Sequence, residues 1–263
     1  MMNSIATWLL FAVALITSSG QDVGRFAYNE SLFSMHYDVN ENREVSLTVV
    51  VPNPRSGRGD ITPSAGLTLG PYPLRTVEGF SYTVVFGNRE EADDGLHTRL
   101  ETFLRYSGVL EPGDTFISGD LTTLNYTSAD SFVVNLRGQH VLFIREGRNL
   151  SPGKYDYKET VFPHLGISYN IYDNGLAGVQ VECEGRSTAR FHHKLSRRNV
   201  GVQYLHYAVE PAGQGTLEQF LYQVRYVCPW IYLRPSDFSK VVVATEKTIY
   251  VVIGGGARAL TKL

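Results

Sequence analysis

Apolar and polar residues alternate along most of this chain. A period of two residues is typical of half-buried β-strands, and the valine, threonine and aromatic residues in these segments suit a pleated sheet. The sixteen tyrosines and thirteen phenylalanines of the chain agree with that preference. The pattern predicts strands at 45–51, 80–86, 131–136, 140–145, 166–172, 178–183, 187–193, 202–209, 218–227 and 248–253.

One segment has a helical pattern instead. Asp93 or Asp94 caps a predicted helix over residues 94–106, and the chain leaves it near Gly108. Its apolar face consists of Leu96, Leu100, Phe103 and Leu104. Between strands, the sequences LRGQ and CEGRS, the latter around Gly185, predict hairpin turns.

Strands and helices do not alternate, which argues against a doubly wound parallel sheet. The predicted class is mainly β, as an antiparallel β-sandwich or flattened barrel with one short helix. Residues 21–263 form a β-rich domain. Residues 147–153, in EGRNLSPGKYD, are either the boundary between two subdomains or a surface loop within one. No repeat of fixed period is visible.

The first twenty residues are uncharged, have an apolar centre from Trp8 to Ile16, and end on Ser18, Ser19 and Gly20. This arrangement predicts a signal peptide over 1–20, cleaved before Gln21, and a secreted, extracellular product. No later run of about 20 apolar residues predicts a membrane span. The net charge of −2 and the pI of 6.4 argue against binding nucleic acid, which needs a basic excess.

Cys183 and Cys228 are the only cysteines. In an oxidising compartment a disulfide between them is the default, and we interpret it as a staple within a sheet. Closing that loop restricts the unfolded chain by about 4 kcal/mol on the loop-entropy model. Three glycosylation acceptors also fit a secreted glycoprotein, although Pro152 makes the last one poorer. They are Asn29, Asn125 and Asn149.

Arg58, Gly59 and Asp60 stand in a segment rich in proline and glycine that we expect to be an exposed loop. The tripeptide resembles the integrin-binding motif of adhesive proteins. That resemblance implies cell adhesion, but the interpretation that we favour is an ordinary solvated loop.

The two cysteine-bearing segments, CEGRSTARF and YQVRYVCP, resemble the C-terminal part of mannose-6-phosphate receptor homology lectin domains. The resemblance covers about 50 residues and implies a mannose site. By motif position Arg186 matches the family's arginine, while Glu210, Tyr222 and Gln180 are looser matches to its glutamate, tyrosine and glutamine. The sequence departs from the family where His193 and Thr216 occupy positions near expected cysteines.

Signals for catalysis are weak. The chain has no G-x-S-x-G elbow, no H-E-x-x-H helix and no phosphate-binding loop. His192 and His193 are adjacent, so in a strand they face opposite sides and do not share one metal. IYVVIGGGARAL starts like a dinucleotide-binding turn but lacks the following helix, so we interpret it as a terminal strand and a flexible tail.

The sequence therefore predicts a noncatalytic binding or structural module without metal or cofactor, recognising an extracellular protein or glycan. The alternatives are a carbohydrate-binding lectin and, after it, a secreted hydrolase. The ligand and the oligomeric state are left open.

Overall fold

The computed structural model describes residues 22–52, 64–86, 93–198, 205–213 and 215–263. The predicted signal peptide and the Arg58-Gly59-Asp60 segment lie outside these ranges. Strands account for 51% of the described residues and helices for 11%, and the strand pairings are antiparallel. The predicted mainly β class is therefore confirmed.

The N-terminal half forms a closed barrel, here called the first barrel, in which neighbouring strands are consecutive in the chain and β1 pairs with β8. Helix α1 (Asp93–Tyr106) connects β5 to β6. The strands are β1 (Gly24–Asn29), β2 (Ser34–Val39), β3 (Glu44–Val51), β4 (Ala65–Glu78), β5 (Ser81–Val84), β6 (Thr123–Ser128), β7 (Ser131–Leu136) and β8 (Gln139–Glu146).

The C-terminal half forms a second ring of strands, the second barrel. Its strands are β9 (Gly153–Lys158), β10 (Gly166–Ile171), β11 (Leu176–Cys183), β12 (Arg186–Ser187), β13 (Phe191–Arg198), β14 (His206–Pro211), β15 (Lys240–Val243), β16 (Thr248–Ile253) and β17 (Gly256–Lys262). Helix α2 (Leu217–Val227) connects β14 to β15. Strand β9 pairs with β10 and β17, and β10 pairs with β11, so the ring closes; β12 is a short addition beside β11.

The two barrels share one topology. In each, the helix follows the fifth strand of the ring and the sixth strand follows the helix. The two barrels resemble each other in the order of their elements. This likeness is not visible in the sequence, which shows no repeat of fixed period. The chain passes from one barrel to the other between Glu146 and Gly153, within the segment predicted as a boundary or loop.

Each barrel has its own hydrophobic core. Strand β3 in the first barrel and β10 in the second both alternate between buried and partly exposed residues, as the sequence pattern predicts. A third, small cluster lies where the barrels meet and contains Val23, Val242, Ala244 and Tyr250. One end of the first barrel is therefore covered by the outer face of β15 and β16.

Helix α2 corrects the prediction of a strand over 218–227 and adds a helix to the one predicted. The Thr216 side chain accepts a hydrogen bond from the Gln219 amide, and the Gln219 side chain accepts one from the Thr216 amide. This capping box satisfies two backbone donors that a helix start leaves unpaired. The buried residues recur with a helical period: Phe220, Leu221, Val224 and Val227.

The predicted flexible tail is also wrong. Gly254 and Gly255, both with positive φ, form the turn after β16, and the residues that follow are β17. This strand pairs with β9 and so closes the second barrel. By contrast, α1 confirms the predicted helix, with Leu96, Leu100 and Leu104 buried.

Candidate recognition surface

The disulfide joins Cys183, the last residue of β11, to Cys228, the C-terminal cap of α2. Their Cα atoms are 5.4 Å apart, and both side chains are fully buried. The bond is the one that the sequence predicts, but it ties a strand to a helix, where a staple within a sheet was expected. It holds the C-terminal end of α2 on the end of the second barrel.

Trp230 follows the disulfide and contacts Phe162, which lies in the loop between β9 and β10. Their ring centroids are 4.9 Å apart at an interplanar angle of 64°, an edge-to-face arrangement. Trp230 is nevertheless 54% exposed and Phe162 59%. The two rings therefore support each other while keeping about half of their surfaces in solvent.

Arg186 connects this pair to the helix. Its Nη2 donates a hydrogen bond of 3.0 Å to the carbonyl oxygen of Val227, and its Cζ lies 5.8 Å from the centroid of the Trp230 ring. A guanidinium over an aromatic face is favourable, more so as the site loses water. Arg186 is therefore held in place although the residue as a whole is exposed.

Three tyrosines extend the same end of the second barrel. The loop after β9, helix α2 and the segment after α2 all lie at this end, because the strands of the ring are antiparallel. Tyr222 and Tyr226 on α2 are 71% and 75% exposed, and Tyr232 is 80% exposed. We call Phe162, Arg186, Trp230 and Tyr232 the aromatic surface, whereas Tyr222 and Tyr226 belong to the exposed face of α2.

The residues that the lectin resemblance implies have different hydrogen-bond partners in the structure. Glu210 lies on β14 and accepts hydrogen bonds from Ser196, at 2.6 Å, and from Arg198. Within the described ranges no contact joins Glu210 to Arg186 or to Tyr222. The segment that the resemblance treats as the final strand is α2.

Gln180 also has local partners only: it donates to the carbonyl oxygen of Thr188 and accepts from Arg190, both at 3.0 Å. His192 and His193 face opposite sides of β13, as a strand requires, with His192 exposed and His193 fully buried. The His193 ring lies 6.0 Å from that of Phe220. Burial lowers the pKa of His193 below its ordinary value.

A second polar cluster, which the sequence interpretation missed, lies between the barrels. Arg145 is fully buried at the end of β8, and its guanidinium lies 4.5 Å from the Phe26 ring and 4.4 Å from the Tyr250 ring. Its Nε donates to Asp130 at 3.1 Å, and its Nη1 donates to the carbonyl oxygen of Val23. The alternation of buried and exposed residues in HVLFIRE places Arg145 on the inward face of β8. This alternation is the sequence feature that could have identified Arg145 as buried.

Asp22 belongs to this inter-barrel cluster. Burial raises the pKa of its carboxyl to about 6, while the charge of Arg145 and the hydroxyl of Tyr250 oppose that rise. The Tyr250 hydroxyl in turn accepts a hydrogen bond of 2.9 Å from the amide of Val23. The start of the described chain is thus fixed between the two barrels.

The three glycosylation acceptors differ in surroundings. Asn29, at the end of β1, and Asn149, between β8 and β9, are exposed. Asn125 is partly buried on β6, and its Oδ1 accepts a hydrogen bond of 2.8 Å from Ser81. Asn29 therefore has the most open position among the acceptors without a following proline.

A cleft of about 360 Å³ lies on the first barrel, away from the aromatic surface. Its described lining is Thr68, Gly70, Pro71, Tyr72, Pro73, Val85 and Arg99, which includes neither a carboxylate nor a histidine. Two carboxylates across a cleft are what most glycoside hydrolysis requires. This cleft thus offers no support for the hydrolase alternative.

Within the described ranges, no three or more His, Cys, Asp or Glu side chains are grouped so as to hold a metal ion. No helix in that part of the chain combines the length and the apolar character needed to cross a membrane. Comparison with protein-family models, with curated proteins and with solved structures finds no match to this chain.

Proposed function

We propose that this protein is a secreted, noncatalytic recognition module that binds an extracellular protein through the aromatic surface of its second barrel. The observation that carries the proposal is the exposed contact between Trp230 and Phe162 beside Arg186. Tryptophan, tyrosine and arginine are the residues most often found where protein interfaces gain their affinity.

The exposure of these rings supports the proposal. Large contiguous apolar patches are uncommon on monomeric soluble proteins and mark interaction sites where they occur. Here the rings are fixed by the edge-to-face contact, by Arg186 and by the nearby disulfide. A preorganised surface loses little side-chain entropy on binding, so more of its contact energy appears as affinity.

Secretion is part of the proposal. Its support is the uncharged, apolar N-terminal segment over 1–20 together with the disulfide, a bond that persists in oxidising compartments. Glycosylation at the sequons follows from the same route through the cell.

A screen of extracellular domains tests the function. The secreted chain, presented as a multimer, is applied to an array of purified ectodomains, and each signal is repeated with Trp230→Ala and Phe162→Ala. We expect either substitution to weaken binding at least tenfold, since truncating a central aromatic anchor costs about 2 kcal/mol or more. Tyr106→Ala is the matched control, because Tyr106 is 96% exposed on α1 of the first barrel.

Fluorescence gives a second readout. The chain has two tryptophans, and Trp8 lies within the predicted signal peptide, so Trp230 reports alone in the processed protein. A bound partner should shift its emission. Binding that neither substitution weakens, or that leaves the Trp230 emission unchanged, would contradict the proposal.

Glycan binding is the second candidate function. The position of Arg186 over the Trp230 ring favours it, because an aromatic face and a hydrogen-bond donor side by side suit a sugar ring. A glycan array repeated with Arg186→Ala tests this candidate. A signal lost in the variant supports a lectin; no signal, or one that persists, removes this candidate and leaves the protein ligand.

A further inference from the structure

Helix α2 presents one face to the second barrel and a different face to solvent. The solvent face consists of Glu218, Gln219, Tyr222, Arg225 and Tyr226, all exposed. These positions recur with the helical period, so they form a continuous stripe along the helix. The stripe is therefore an available surface with Tyr222 near its centre, Glu218 towards one end, and Arg225 and Tyr226 towards the other.

The charges on this stripe are complementary to those of a reversed copy. Glu218 lies in the first turn of α2 and Arg225 in the last, separated by about 10 Å along the helix axis. Neither side chain has an ion-pair partner within the described part of the chain. Tyr222 lies midway between them. Two such helices packed antiparallel would place Glu218 of each against Arg225 of the other, with Tyr222 at the centre.

We propose that a second copy of this chain packs on this stripe, related by a two-fold axis close to Tyr222. Such an isologous contact is the commonest way in which soluble proteins associate. The ion pair between Glu218 and Arg225 is then made twice, and the two Tyr222 rings meet at the axis. The same two charges also complement the helix dipole within one copy, so the test must measure association itself.

The size of the stripe sets the expected strength. An 11-residue helix is about 16 Å long, and its one face supplies less than the roughly 800 Å² per partner of a standard interface. We therefore expect a dimer with a dissociation constant in the micromolar range, on the order of 10 µM. The pairing does not depend on the proposed function. Its consequence, two Trp230 surfaces side by side and bivalent binding, rests on that function.

Sedimentation velocity on the full processed chain, from about 1 to about 200 µM, measures the association. Glu218→Arg and Arg225→Glu should each weaken the dimer at least tenfold, because each places like charges at both ion-pair positions. The double variant restores both pairs. An equimolar mixture of the two single variants should also associate, since each then offers the charges that the other needs.

Tyr222→Ala should weaken the dimer too, while Tyr106→Ala, remote on α1, should leave it unchanged. Circular dichroism confirms that each variant keeps its fold. A wild-type chain that stays monomeric at all concentrations overturns the proposal. So does a dimer that persists in both single charge-reversal variants. Failure of both the double variant and the mixture to dimerise also overturns it. Trp230 lies outside the stripe. If Trp230→Ala loses ligand binding but still forms the dimer, the two proposals are shown to be independent.

Discussion

Cys183, the last residue of β11, is bonded to Cys228, the residue that ends α2. The link fixes the helix to the barrel at the end where Trp230, Phe162 and Arg186 meet. Trp230 lies only two residues beyond Cys228. The geometry of the aromatic surface therefore depends on this one covalent bond as well as on packing.

Replacing both cysteines by alanine should lower the free energy of unfolding by about 4 kcal/mol, because the loop that the bond closes becomes free in the unfolded chain. Urea unfolding followed by circular dichroism measures the loss. The wild-type chain in dithiothreitol should behave like the double variant, since it has no other cysteine. Equal stability of the oxidised and reduced chains would show that the bond contributes nothing.

The carboxyl of Asp22 predicts a dependence on pH. Its pKa is raised from 3.8 to about 6, so between these values the folded protein binds a proton that the unfolded chain releases. The stability that the folded protein gains from protonated Asp22 is complete below about pH 4 and is lost as the pH rises through 6. The free energy of unfolding of the wild type, relative to that of Asp22→Asn, should therefore rise by up to about 3 kcal/mol on going from pH 7 to pH 4.

Urea unfolding of both proteins at several pH values measures this difference. Asp173→Asn is the control, because Asp173 is an exposed turn residue. Comparing wild type with variant removes the contributions of other groups, such as His193, whose lowered pKa acts in the opposite direction below pH 6.5. A difference that stays constant with pH would show that the Asp22 carboxyl is not held between the barrels.

The strand pattern was predictable because it depends on alternation within a few residues, as β3, β7 and β10 show. Helix α2 was missed because its phenylalanine, valine and tyrosine residues favour strands. The T-x-x-Q signature of its capping box, Thr216 to Gln219, was the better guide. Local start signals can outweigh β propensity once the apolar residues also have a helical spacing.

The aromatic surface was not predictable from the sequence. Phe162 and Trp230 lie in different loops, and they meet because β9 and β15 belong to the same closed ring. Closure itself depends on β17, whose glycine-flanked sequence resembles a tail. The lectin resemblance treats the segment before the second cysteine as a strand. In the structure this segment is α2, and Arg186 donates a hydrogen bond to the carbonyl oxygen of its last residue, Val227.

The capping box predicts a measurable loss of stability. Thr216→Val keeps the shape of the side chain but removes the oxygen that accepts from the Gln219 amide. We expect the free energy of unfolding to fall by about 1 kcal/mol in Thr216→Val. Thr216→Asp should keep most of the stability that the cap contributes, because its carboxylate also accepts the hydrogen bond. Thr102→Val is the matched control, since Thr102 is an exposed residue within α1. A loss equal to that of the control would mean that the cap does not stabilise α2.

Asn29 is the acceptor that we expect to carry a glycan on the secreted protein. It is exposed at the end of β1, so a bulky sugar projects into solvent, whereas the Asn125 side chain is partly buried and bonded to Ser81. Expression in a eukaryotic secretory host should add mass that peptide N-glycosidase removes. Asn29→Gln should abolish most of this mass, and Asn125→Gln should leave it unchanged. A secreted chain without sugar on Asn29 would contradict the prediction, and a chain retained in the cytosol with residues 1–20 attached would contradict secretion itself.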